Sequence, residues 1–141
     1  MSDMPEKIVV RPAKNTDFEL LIEFIAPFVK QQKLLPRTKF ELEELVDSGF
    51  VAVCNEGIVG FAALEVYSQK MAEIRSLAVA KKYRGSGVGK QLVEACLQLA
   101  SERAILEVMA ISSADAFFLS CGFDYTLPGE KRAFFFQTRD D

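Results

Sequence analysis

The apolar residues alternate along short strand-like runs and recur at helical spacing between them, and the order of these two patterns predicts a layered domain. Lys7 to Ala13 (KIVVRPA) has strand propensity and ends at Pro12. Leu21, Phe24, Ile25 and Phe28 then form a helical stripe behind Thr16-Asp17-Phe18-Glu19, which reads as a capping box. Pro27 lacks an N–H and crowds the preceding turn, so it is expected to interrupt this helix or kink it near Ala26. A second box, Thr38-Lys39-Phe40-Glu41, opens a short helix through Leu42, Leu45 and Val46 that stops before Gly49. Between the two helices, Gln31 to Arg37 is basic and irregular.

Phe50 to Cys54 and Ile58 to Val66 read as antiparallel strands joined at Asn55-Glu56-Gly57, and a turn at Ser68 to Lys70 leads into a central strand carrying Glu73, Ile74, Leu77, Val79 and Ala80. A glycine-rich turn follows, then a helix with Val88, Leu92, Val93, Cys96, Leu97 and Ala100 on one face. Ala104 to Ile111 reads as a strand. Ser112 or Ser113 is placed to cap a helix through Ala116 to Leu119, which Gly122 ends. Arg132 to Thr138 is expected to be a last strand, with Phe134, Phe135 and Phe136 in core and sheet packing, before a frayed Arg-Asp-Asp end. The order is strand, two helices, three strands, helix, strand, helix, strand: one mixed α/β layered domain over residues 1–141.

Composition narrows the chemistry. With 141 residues, half of them hydrophobic, the chain can bury an ordinary core without disulfides or metals. A net charge of -3 gives no global attraction to nucleic acid or anionic membranes. No apolar run reaches the roughly 18 residues that span a bilayer, and MSDMPEK has no signal-peptide core, so a cytoplasmic location is expected. Cys54, Cys96 and Cys121 show no CxxC spacing and read as core or near-surface residues, with no metal site. The chain has no histidine, which removes Ser-His and Cys-His nucleophile pairs. Proton transfer then falls to carboxylates, Tyr, Lys, Cys or water.

The glycine turn carries the most specific signal. Gly85, Gly87 and Gly89 at a helix start leave backbone N–H groups unshielded at the positive end of the helix dipole, which makes an anion site suited to phosphates. A P-loop would need Gly at position 84 and Ser or Thr after Lys90, where the chain has Arg84 and Gln91. A dinucleotide fingerprint would need Gly where Lys90 stands. Arg84-Gly85-Ser86-Gly87-Val88-Gly89 does match R-x-x-G-x-G between strand and helix. In this it resembles the GNAT family of acetyl-CoA-dependent N-acetyltransferases, and the element order is the one that fold would give. Phe117-Phe118-Leu119-Ser120-Cys121-Gly122-Phe123 is similar to the family's F-Y-x-x-x-G-F segment, with Phe118 where the family's acid Tyr stands.

Further stretches resemble the acetyltransferase domain of N-acetylglutamate synthase. These are Ile25-Ala26-Pro27 leading to Leu34-Leu35-Pro36-Arg37, Lys70 to Val79 (KMAEIRSLAV), and Leu127-Pro128-Gly129-Glu130-Lys131-Arg132 with Gln137-Thr138-Arg139. No amino-acid-kinase-like domain is expected ahead of this stretch, and Thr138 stands where the synthases tend to carry Arg. The resemblance implies acetyl-CoA as cosubstrate, its pyrophosphate held by Gly85, Gly87, Val88, Gly89 and Lys90, with Arg84 either assisting or facing solvent. Leu77, Ala78 and Val79 would pair with the pantetheine arm, and one N–H there would polarise the thioester. Glu73 matches the position proposed for the general base; otherwise it is a solvated carboxylate or pairs with Lys70 or Arg75. Ser112, Ser113 and Tyr125 are candidate donors to the departing thiolate, which needs only a weak acid or water. Arginine suits an acidic substrate's carboxylates, with Arg37 foremost and Arg75, Lys131 and Arg139 behind it.

The implied activity is acetylation of the α-amine of an acidic amino acid, L-glutamate first, as in arginine biosynthesis. The competing readings are a polyamine, peptide or protein acceptor, and a non-catalytic acyl-CoA-binding module. Nucleic acid and membranes are not expected partners. A homodimer through an edge strand such as the last one is compatible with the pattern.

Overall fold

The structure, a computed structural model, describes residues 7–55 and 57–139. The chain divides into two compact units, Met1–Ile111 and Ser112–Asp141. In the first unit the elements are β1 (Val9–Pro12), α1 (Phe18–Lys30), α2 (Lys39–Val46), β2 (Gly49–Cys54), β3 (Gly57–Val66), β4 (Met71–Val79), α3 (Val88–Glu102) and β5 (Glu107–Met109). The strands form one sheet in the order β1-β2-β3-β4-β5, antiparallel except for the parallel pair β4 and β5. The expected strand–helix–strand order is present, although β5 is shorter than the Ala104–Ile111 run. Glu56 of the β2–β3 turn lies outside the described residues, as do Asp140 and Asp141 at the end expected to fray.

Strand alternation sorts the core into two layers. Val51, Phe61 and Ala63 face Phe18 and Leu21 of α1 and Leu42, Leu45 and Val46 of α2. Gly60 lies on the opposite face, where an added Cβ would meet Leu92 and Val88 of α3. That contact explains why α3 can lie close on the sheet, with Leu92, Val93 and Cys96 fully buried. Burial pushes the Cys96 thiol up to about 12, which makes it packing material and not a nucleophile.

The helix starts differ from each other. Thr38 caps α2 as expected: its hydroxyl accepts from Glu41 N–H at 3.1 Å and Glu41 accepts from Thr38 N–H at 2.9 Å. The Thr16–Glu19 box does not form. Instead the Asp17 carboxylate accepts from Lys14 N–H at 2.8 Å and takes the Arg11 guanidinium through both oxygens, at 2.7 and 2.8 Å. A bidentate, charge-assisted pair outcompetes a lone hydroxyl cap, and it ties β1 to the start of α1. Pro27 does not break α1, which continues to Lys30. In its last turn the proline removes one helix hydrogen bond, while Gln31 N–H still reaches the Pro27 carbonyl at 3.0 Å.

The second unit is built on α4 (Asp115–Ser120). Ala114 is its N-cap; Ser112 Oγ accepts from Ala114 N–H at 3.0 Å, a turn contact just before the helix. Gly122, at φ 91°, closes the helix with its N–H on the Leu119 carbonyl. The expected strand over Arg132–Thr138 is absent: the segment's pairing stops at a single bridge between Leu127 and Lys131. Phe134, Phe135 and Phe136 are 92%, 74% and 89% exposed, against the expectation that they pack. Strand propensity needs a neighbouring strand to act on, and these residues have none. The edges of the sheet are therefore β1 and β5, and the expected dimer edge at the last strand is not formed.

Candidate active site

The turn between β4 and α3 is shaped by two left-handed glycines. Gly85 at φ 81° and Gly87 at φ 88° adopt backbone conformations that side chains disfavour, and a Cβ on either would meet nothing within 4 Å, so the backbone here is open. Gly87 is the N-cap of α3 without a side-chain cap, and its carbonyl takes the first helical bond from Gln91 N–H at 3.0 Å. The N–H groups of Val88, Gly89 and Lys90 thus lack intrahelical acceptors at the positive end of a 15-residue helix. A pyrophosphate fits this cradle. Arg84 is not merely solvated: its Nε donates to the Val79 carbonyl at 3.2 Å, pinning the turn to the end of β4.

The register between β3 and β4 slips in the middle. Phe61 pairs with Ala78 but Ala63 with Arg75, so two steps on β3 answer three on β4, and Ser76 sits at φ 58°. This is a bulge, which bends the strand. Pairing of β4 with β5 covers only Met71 to Glu73. From Leu77 to Val79 the edge of β4 away from β3 therefore faces no strand, and its backbone groups stand open where a pantetheine arm would add.

Just before the bulge, Glu73 meets Arg75, one of the partners expected for it, in a cluster that adds Glu65 and Tyr67, which the sequence did not single out. Glu65 and Glu73 are directly opposite in register, on the sheet face of Phe61 and Ala63. Two carboxylates so placed repel. Arg75 answers both, at 3.1 Å from Glu65 Oε1 and 3.5 Å from Glu73 Oε1. Tyr67, one residue past β3, donates its hydroxyl to Glu73 Oε1 at 2.7 Å, and Arg75 donates to the same hydroxyl at 3.2 Å. Glu73 is 8% exposed, one of the few buried charged residues. Burial and the bond to Glu73 together hold the Tyr67 phenol above its usual value. The signal for this cluster was present as alternation: Glu65 and Tyr67 on one strand, Glu73 and Arg75 on the next, around a tight turn closed by Tyr67 N–H on the Met71 carbonyl.

The other candidates stand as follows. Arg37 is half-buried between α1 and α2, and its Nε is buried with no hydrogen-bond partner. Arg75 is occupied within the cluster. Ser112, Tyr125, Lys131 and Arg139 belong to the second unit and are exposed. The Tyr125 hydroxyl donates to Asp115 at 3.0 Å, which raises its pKa and makes it a weaker acid. A cavity of about 590 Å³ lies against Phe18, Glu19, Lys39, Phe40, Glu43 and Asp47, and none of the candidate site residues lines it. Among the described residues no cluster of metal-ligand side chains occurs, and no helix is long and apolar enough to cross a membrane.

A five-stranded mixed sheet with a bulge in β4, opening into a glycine cradle at a helix start, defines an α/β protein with a site for a phosphate-bearing ligand. The chain belongs to the GNAT acetyltransferases: the model of the acetyltransferase (GNAT) domain matches residues 47–125, more than half of it. An uncharacterized N-acetyltransferase of Chlorobaculum tepidum is 31% identical over 114 residues, 81% of this chain and 74% of that protein. The amino-acid acetyltransferase of Pasteurella multocida is 30% identical over 135 residues, 92% of this chain, and the chain spans only 31% of that protein's length. The fold matches N-acetylglutamate synthase of Neisseria gonorrhoeae, solved with coenzyme A and N-acetyl-glutamate, at a TM-score of 0.72 and 23% identity, over 83% of this chain and 28% of that one. The protein is thus an N-acetyltransferase that uses acetyl-CoA.

Proposed function

We propose that this enzyme acetylates the α-amine of an amino acid, L-glutamate before others, the reaction that makes N-acetylglutamate for arginine biosynthesis, and that residues 1–141 serve this as one domain in the cytoplasm. The observation that carries the reading is Arg37, whose buried Nε has no partner among the described residues. An unsatisfied buried guanidinium N–H is unfavourable by about 1–3 kcal/mol until an acceptor arrives, and a carboxylate is the acceptor its planar fork fits. The name of the Pasteurella relative supports an amino-acid acceptor.

Acetyl-CoA supplies an activated acetyl thioester. The amides of Val88, Gly89 and Lys90 hold its pyrophosphate, and the open edge of β4 from Leu77 to Val79 takes the arm and offers an N–H to the thioester oxygen. Glu73 removes one proton from the substrate ammonium, leaving a neutral amine to attack. With two carboxylates against one guanidinium, the cluster attracts that ammonium. Arg37 binds a substrate carboxylate; as the tetrahedral adduct collapses, its nitrogen gives a second proton to water and the leaving thiolate takes a proton from water, Ser112 or Tyr125.

The test is steady-state release of free CoA with each amino acid offered in turn. Glutamate is expected to be turned over best, and Arg37→Ala to raise its KM at least about tenfold with kcat nearly held, the pattern of lost uniform binding. Equal turnover of neutral amino acids, or an unchanged KM in the variant, would refute the glutamate reading.

A further inference from the structure

We propose that Tyr67 is a positioning residue for acetyl transfer: its hydroxyl holds Glu73 through Oε1, so that Oε2 is the oxygen that receives the ammonium proton. The inference rests on the reading of Glu73 as the base. Both hydrogen-bond donors to the Glu73 side chain, Tyr67 at 2.7 Å and Arg75 at 3.5 Å, act on Oε1. Among the described residues no donor reaches Oε2, which is left to the substrate. A separation of 2.7 Å is a close phenol–carboxyl hydrogen bond, and it holds the carboxyl group in one orientation. Arg75 is the weaker donor to Glu73 because its closer contact is to Glu65, at 3.1 Å.

Tyr67 is also placed as a rim would be. It is 52% exposed while Glu73 beneath it is 8% exposed, and it is fixed at the backbone by its own N–H on the Met71 carbonyl at 3.0 Å. Such a residue shields the carboxylate from bulk water on one side without sealing it. The charged and titratable groups from the elements against β4 are few. β3 brings Glu65, with Tyr67 just beyond it, and β5 brings Glu107, opposite Met71 in register. α3 packs on the other face of the sheet with Leu92 and Val88. Loss of the phenol therefore leaves Glu73 with one shared guanidinium, at 3.5 Å, as its donor among the described residues.

Tyr67→Phe keeps the ring and removes only the hydroxyl. With glutamate as acceptor, the variant is expected to lower kcat about 10-fold to 100-fold while the KM for glutamate and the acetyl-CoA affinity stay unchanged. In the Glu73→Gln background the same change should have little further effect, because the two residues act as one unit. A readout without turnover accompanies this: the carbon-13 spectrum of glutamate side-chain carboxyls at one fixed pH, with the Glu73 signal assigned by its loss in Glu73→Gln. That signal should move in Tyr67→Phe, because the carboxylate loses its nearest donor. An unmoved signal overturns the role of Tyr67 even if Glu73→Gln is inactive, in which case the base reading stands. A moved signal with full activity in Glu73→Gln overturns the base reading and, with it, the catalytic role of Tyr67.

Discussion

Two apolar runs of similar strand propensity end differently: Ile58 to Val66 becomes β3, with six consecutive buried residues from Val59 to Leu64, whereas Arg132 to Thr138 pairs with nothing. The aromatic residues make the contrast plain. Phe61 is fully buried and faces Val51 and Ala78 across two strands, while Phe135 is 74% exposed. A strand is thus decided by what lies beside it, and composition supplies only the readiness to pair.

That comparison can be broken by mutation, and the largest effect belongs to Phe61. Phe61→Ala should destabilise the protein by about 3–5 kcal/mol in urea unfolding, because the cavity would open between α1, α2 and the sheet. A loss below about 1 kcal/mol would show that this face is not the core.

The next effect belongs to the polar tie of the same unit. Asp17→Asn should cost about 1–3 kcal/mol near neutral pH, since Arg11 and the Lys14 N–H would lose an ionised acceptor. The Arg11 guanidinium holds the Asp17 carboxyl below its ordinary value of 3.8, against the opposing effect of burial. The stabilisation is therefore complete above that value and is lost as pH falls below 3.8 through the folded-state value. The gap between wild type and variant should close over that acidic range. A gap that stays constant into acid would contradict the pair. Smallest is Phe135→Ala, expected to change stability by less than about 0.5 kcal/mol. A larger loss would mean that the run is packed after all.

Much of the first unit was legible because its signals are local. The Thr38 box, the helical stripe from Val88 to Ala100 and the glycines at 85 and 87 each act within a few residues of themselves. The misreadings share another cause: a competitor distant in sequence or a missing neighbour. Asp17 was captured by Arg11 on β1 and by the Lys14 N–H instead of entering the Thr16–Glu19 box, and the Phe134–Phe136 run lacked a strand to join among the described residues. Pro27 was tolerated because it falls in the last turn of α1. At the site, Glu73 and the cradle could be read from a motif. The Glu73–Arg75 contact, within one strand, was among the expected pairings, whereas the bulge at Ser76 and the bonds of Tyr67 to Glu73 and of Glu65 to Arg75 depend on register between strands, which a single run of residues does not state.

The account turns on Glu73 as the base of an amino-acid N-acetyltransferase. The direct measurement is to mix acetyl-CoA labelled in the acetyl carbon with L-glutamate and follow the new amide by NMR, for the wild type and for Glu73→Gln. The predicted result is acetylation at the α-amine by the wild type, slowed by about 10²–10⁴-fold in the variant while acetyl-CoA affinity is kept. Full-rate product formation by Glu73→Gln, or tight acetyl-CoA binding with no acetylated glutamate from the wild type, would contradict it.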